Sequence, residues 1–142
     1  MTLYLDMSAL VKVYVDEPGT ADTRRLVDRA THVATSRLTY VAARVAFARR
    51  YREHAYSKSR YLEMVRMLDH EWETYVRFEV NEPIIKLAGE LTERRALRAY
   101  DAIHLACALT IRKDAQVEFA PADERLLTAA SSEGLLTHRL LT

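Results

Sequence analysis

This chain is poor in the residues that mark several common protein classes: one cysteine, three glycines, three prolines and one tryptophan among 142. The lone Cys107 excludes an internal disulfide and fits a reducing compartment. Within Leu105-Ala106-Cys107-Ala108-Leu109 it reads as a small core residue. Scarce Gly and Pro argue against long flexible linkers, so one domain over 1–142 is expected. Such a domain buries roughly two thirds of the surface its unfolded chain exposes, without help from disulfides or a structural metal. No apolar run approaches the ~18 residues that span a bilayer, and the N-terminus lacks a basic segment ahead of a signal-like core. A cytoplasmic location is therefore expected. A formal net charge of +1 announces no polyanion partner, so any such site must come from local arrangement. Also missing are a phosphate-binding glycine loop, a His and Cys cluster with zinc spacing, and a nucleophile elbow.

What is present alternates strands with helices. Leu3 to Leu5 reads as a short buried strand ending at Asp6, with Ser8 as cap of a helix through Tyr14. Asp16-Glu17-Pro18-Gly19-Thr20 is a turn, and Thr20 to Ala30 a helix. His32 to Thr35 is a strand; Ser36 caps a helix through Leu38, Val41 and Val45 to about Glu53. Lys58 to Trp72 is amphipathic, with an apolar stripe that either joins the core or meets a second subunit. Val76 to Val80 alternates like a strand, and Asn81 with Pro83 opens a helix to about Arg94. Tyr100 to Ala106 is a strongly apolar helix, Gln116 to Ala120 a strand, Glu124 to Ser131 a helix, and Leu135 to Leu141 a last edge strand. This order predicts a parallel sheet covered on both faces.

A parallel sheet gathers the C-terminal ends of its strands at one rim. Asp6 ends the first strand, Asp123 follows the fourth, and Asp101 opens a helix that packs beside them. Each alone is explained as a helix-start acid that caps N–H groups and complements the dipole. Together, three neighbouring carboxylates repel unless a cation lies between them, and all-oxygen ligands suit Mg²⁺ or Mn²⁺. The chemistry natural to such a site is metal-assisted phosphodiester hydrolysis. A phosphotransfer enzyme with Asp6 as nucleophile is disfavoured, because Ser8 stands where that chemistry wants a second Asp.

Four blocks in order resemble the PIN domain, specifically the VapC-type toxins of bacterial toxin–antitoxin pairs. They are Tyr4-Leu5-Asp6-Met7-Ser8-Ala9-Leu10-Val11-Lys12, Ala34-Thr35-Ser36-Arg37-Leu38-Thr39-Tyr40-Val41, Leu97-Arg98-Ala99-Tyr100-Asp101-Ala102-Ile103-His104-Leu105-Ala106, and Phe119-Ala120-Pro121-Ala122-Asp123-Glu124-Arg125-Leu126-Leu127. The resemblance covers essentially the whole chain. It implies an α/β fold, a PIN-like three-layer sandwich whose mostly parallel sheet of four to five strands is flanked by helices. It also implies a metal-dependent endoribonuclease, usually a homodimer, neutralised by a cognate antitoxin. Asp6, Asp101 and Asp123 match the family's metal-binding acids, and Ser8 matches a small hydroxyl residue lining the same site. The pattern breaks at Ala42, where the family usually has a glutamate, and more mildly at Pro121, where a hydroxyl residue is common. Alanine offers no ligand oxygen, so metal affinity and water positioning both weaken. Two explanations stand: a substitution introduced to disarm a toxin, toward which the intact remainder of the motif leans, or a naturally degenerate copy. The alternative function is then a binding module that grips an antitoxin or RNA without cutting.

Other residues carry weaker signals. Arg44, Arg49, Arg50 and Arg52 are either a solvated helix face or guides for an RNA backbone. Tyr14 and Tyr40 are candidates for base stacking, His104 reads as a hydrogen-bonded core imidazole, and Trp72 as packing at a helix end.

Overall fold

Leu3, Tyr4 and Leu5 are wholly buried because their strand lies at the centre of the sheet in the computed structural model, which describes residues 1–140. This strand, β1 (Thr2–Leu5), pairs in parallel with β2 (His32–Ser36) on one side and β4 (Val117–Ala120) on the other. The parallel edge strands are β3 (Val76–Phe78) beside β2 and β5 (Leu136–Thr137) beside β4, giving the order β3-β2-β1-β4-β5. The helices are α1 (Met7–Tyr14), α2 (Thr20–Arg29), α3 (Leu38–Arg52), α4 (Lys58–Trp72), α5 (Glu82–Arg94), α6 (Ala99–Arg112) and α7 (Glu124–Ser132).

Strand side chains alternate between two cores, as the period of two requires. Leu3, Leu5, Val33 and Ala120 face α1, α2, α3 and α4, with Phe47, Met64 and Leu68 among their neighbours. Tyr4, Ala34, Val117 and Phe119 face α5, α6 and α7. Helices on both faces produce the expected three-layer α/β sandwich, and its sheet is wholly parallel. Each buried Leu contributes about 1.5–3 kcal/mol relative to exposure, which is why both faces of so short a strand hold firmly.

Sequence expectations fail mainly at the edges. The third strand stops at Phe78 rather than Val80, and only Leu136 and Thr137 of the expected last strand pair; Leu141 lies outside the described residues. An edge strand has neighbours on one side only, so little extends its ladder. The apolar stripe of α4 turns Met64, Leu68 and Trp72 into the core and leaves Leu62 and Met67 partly exposed.

Candidate active site

Leu5 and Ala120 are register partners, so Asp6 and Pro121 leave the sheet side by side. The chain steps from β1 outward through β2 and β3, then returns across the centre to β4 and β5. The crevice at such a switch point is where open α/β sheets receive ligands.

Asp6 is 4% exposed. Its backbone is extended, so the carboxylate folds over the start of α1, where Oδ1 accepts the Ala9 N–H at 2.8 Å. The same oxygen accepts the Ala122 N–H at 3.3 Å, which ties β1 to the loop after β4. Asp6, not Ser8, is therefore the cap of α1; Ser8 lies one residue inside the helix and is exposed. Asp101 sits in the first turn of α6, on the face shared with buried His104, Leu105 and Ala108 at helical spacing. Asp123 caps α7 by accepting the Arg125 N–H at 3.1 Å.

Burial pushes the Asp6 carboxyl up to about 7; the Ala9 and Ala122 N–H groups oppose this, and the nearby Asp101 and Asp123 charges add to it. Asp6 therefore lies within electrostatic reach of both Asp101 and Asp123. The three do not stand as a bare cluster. Among the described residues no group of three or more His, Cys, Asp or Glu side chains has the arrangement of a ready-made metal site. Instead Arg98, at the start of α6, donates from Nε to Asp101 Oδ2 and from Nη2 to Asp123 Oδ2, each at 3.2 Å. Sequence reasoning missed Arg98. Its spacing of three from Asp101 was the available signal, since such pairs meet on one helix face.

Below this rim, the Tyr4 hydroxyl and His104 Nδ1 are 2.8 Å apart, joining β1 to α6 one turn from Asp101. Burial lowers His104 to about 4, so it is neutral near pH 7, and its Nε2 is buried without a partner among the described residues. This is the core imidazole expected. Tyr14 is a correction: it is buried with its hydroxyl against that of Tyr75, out of reach of a base. Tyr40 donates to Asp69 at 2.6 Å and tilts against Trp72, the last residue of α4.

Most of the basic cluster on α3 is engaged. Arg44 donates to the Tyr40 hydroxyl at 2.9 Å, Arg49 pairs with Glu53 at 3.2 Å, and Arg50 with Glu17 at 2.7 Å. Ala42 lines a cleft of about 390 Å³ with Met7, Ser8, Val11, Glu17, Ala46 and Arg50, immediately beside the start of α1.

The PIN domain profile matches residues 3–130. The chain belongs to the PIN-domain family. Ribonuclease VapC49 of Mycobacterium tuberculosis is 33% identical over 132 residues, 93% of this chain and 91% of that protein. Ribonuclease VapC47 of the same species is 32% identical over 139 residues, 95% of this chain and 94% of the relative. These place the chain among VapC-type PIN-domain proteins. Among solved structures, M. tuberculosis VapC20, described as a sarcin-ricin loop cleaving toxin, superposes with a TM-score of 0.66 at 16% identity, covering 94% of this chain and 96% of that one. Rickettsia felis VapBC2, bound to a promoter DNA fragment, gives 0.66 at 12% identity, covering 98% of both chains. Likeness at such identity establishes the shared fold.

Proposed function

We propose that this PIN domain is an endoribonuclease toxin of a toxin–antitoxin pair, acting in the cytoplasm on RNA phosphodiester bonds, with Asp6, Asp101 and Asp123 as its metal-binding acids. The observation that carries the reading is Asp6: a carboxylate buried at the sheet's switch point, pushed up to about 7 beside two further acids. Strongly perturbed carboxylates in a crevice mark sites that await a cation or a proton. The oxygen-only donor set suits Mg²⁺ or Mn²⁺. Such an ion supplies polarisation of the phosphoryl oxygen and a more acidic water. The chain's own part is positional: the Ala9 and Ala122 N–H groups fix Asp6 Oδ1, while α6 and α7 bring Asp101 and Asp123 to the same rim. The Ser8 hydroxyl is close enough in sequence to line that rim.

Ala42 weakens or silences this chemistry. Its cleft has room for a longer acidic side chain, and the lost carboxylate leaves water less well held. That favours a second reading, a PIN-fold module that grips an antitoxin or RNA without cleavage. An antitoxin partner is supported by the toxin–antitoxin complexes among the similar structures. A homodimer is supported by Val41 and Val45, 62% and 59% exposed on one stripe of α3.

The test is cleavage of structured RNA with Mn²⁺ before and after Ala42→Glu. Restoring the acid is expected to raise the rate roughly ten- to a hundredfold, the usual effect of one group supporting a metal site, with EDTA abolishing it. A folded Ala42→Glu protein that shows no metal-dependent cleavage removes the nuclease reading. Tight antitoxin binding indifferent to EDTA would then favour the module.

A further inference from the structure

We propose that Arg98 is a built-in counter-cation that occupies the space between Asp101 and Asp123 and must let go before a divalent ion can take them. The inference rests on the metal-dependent reading above and adds an internal competitor to it. One guanidinium spans carboxylates from two different helices, with Nε on Asp101 and Nη2 on Asp123, both at 3.2 Å. One positive group thus touches an oxygen of each acid, as a shared cation would.

The latch is weak by construction. The Arg98 side chain is 73% exposed, and its contacts are single hydrogen bonds rather than a bidentate fork. Exposed pairs of this kind contribute little, which is what a displaceable occupant requires. A compact divalent ion carries twice the charge and needs the same oxygens. Its binding and the release of Arg98 are therefore linked, and the linkage is reciprocal. Without either cation, Asp101 and Asp123 would face Asp6 and each other uncompensated. Arg98 lets the acids sit together in metal-free protein while setting a threshold ion concentration for occupancy.

Calorimetric titration with Mn²⁺ at fixed pH and ionic strength tests this on the full chain. Arg98→Gln is expected to bind Mn²⁺ roughly three- to tenfold more tightly than the parent, the factor two exposed ion pairs represent. Arg98→Lys, which cannot span both acids, is expected to fall between. Arg125→Gln is the control: it removes the same charge beside Asp123, but its side chain makes no hydrogen bond or ion pair among the described residues, so less than a twofold change is expected. Nitrogen-15 NMR adds a direct readout, with the Arg98 Nε–H signal moving toward its solvated position on addition of Mg²⁺. Equal affinity in Arg98→Gln and parent, or equal tightening in Arg125→Gln, overturns the latch while leaving the metal reading intact. Absence of Mn²⁺ binding in every variant overturns both.

Discussion

Asp6 and Glu133 are both carboxylates largely withdrawn from water, Asp6 at 4% and the Glu133 side chain at 12% exposure, yet their surroundings treat them in opposite ways. Glu133 is clasped by Arg94 and Arg95, each with a nitrogen 3.0 Å from Oε2, and these hydrogen bonds hold its carboxyl below the usual range. Asp6 has two backbone N–H donors, no cation partner among the described residues and two acids nearby, and burial pushes its carboxyl up to about 7. The fold can satisfy a buried acid when it needs only structure. At the switch point it supplies Asp6 with backbone donors but pairs it with no cation among the described residues, the electrostatic feature on which the proposed metal-binding role rests.

The sharpest way to break this contrast is Asp6→Asn in metal-free protein. Asparagine caps a helix as well as aspartate does, so the change removes charge and keeps the cap. Because the folded carboxyl titrates near 7 and the unfolded one near 3.8, the folded state holds the extra proton between those values. Its stability is greatest below about pH 4 and falls as pH rises toward 7. At pH 8 Asp6→Asn is therefore expected to be about 2–4 kcal/mol more stable than the parent by urea denaturation in EDTA, with the gap closing below about pH 4. A destabilised variant at pH 8 would mean that Asp6 is a structural acid like Glu133. Saturating Mn²⁺ should narrow the gap by stabilising the parent alone.

A smaller effect separates charge from position at the same rim. Tyr4→Phe keeps the ring that meets Phe119 edge-on at 5.3 Å but removes the hydroxyl 2.8 Å from His104. Both imidazole nitrogens are then unpaired in the core, since Nε2 already lacks a partner. A loss of about 1–2 kcal/mol is expected in thermal unfolding. Here a satisfied polar group is worth keeping, whereas two residues later an unsatisfied one is costly.

The layers and central strands were legible because β1 and β4 are short, mostly apolar runs, each followed after at most three residues by a helix start. The placement of Asp6 at the end of β1 and of Asp123 at the start of α7 was legible for the same reason, and Asp101 follows from the face it shares with His104 and Leu105. Less readable was anything set by side chains meeting across elements. Ser8 and Asp6 have equivalent capping chemistry, and only the backbone at Asp6 decides between them. Tyr14 looked available for stacking, although Leu10, Val11 and Tyr14 at helical spacing already marked a buried face. The i,i+3 spacing of Arg98 and Asp101 was a local signal, but the second bond, from Arg98 to Asp123 at the start of α7, joins residues 25 apart and no local pattern encodes it.

The smallest effect closes the contrast from the other side. Glu133→Gln removes the charge but not the volume of a carboxylate that ties Arg94 and Arg95, at the end of α5, to the residue closing α7. Arg94 and Arg95 are partly solvated, 49% and 30% exposed, so water screens much of what they gain from it. A loss of about 0.5–1 kcal/mol is expected at pH 7 in low salt, shrinking toward zero in 1 M NaCl. The sign is opposite to that of Asp6→Asn, and so is the pH dependence. The held-down Glu133 carboxyl stabilises the fold above its ordinary range, and that contribution is lost as pH falls through it. Acidification should therefore erase both differences, lowering the advantage of Asp6→Asn and the deficit of Glu133→Gln together. If both variants shifted stability in the same direction at pH 7, neighbouring cations would not be what separates the two acids.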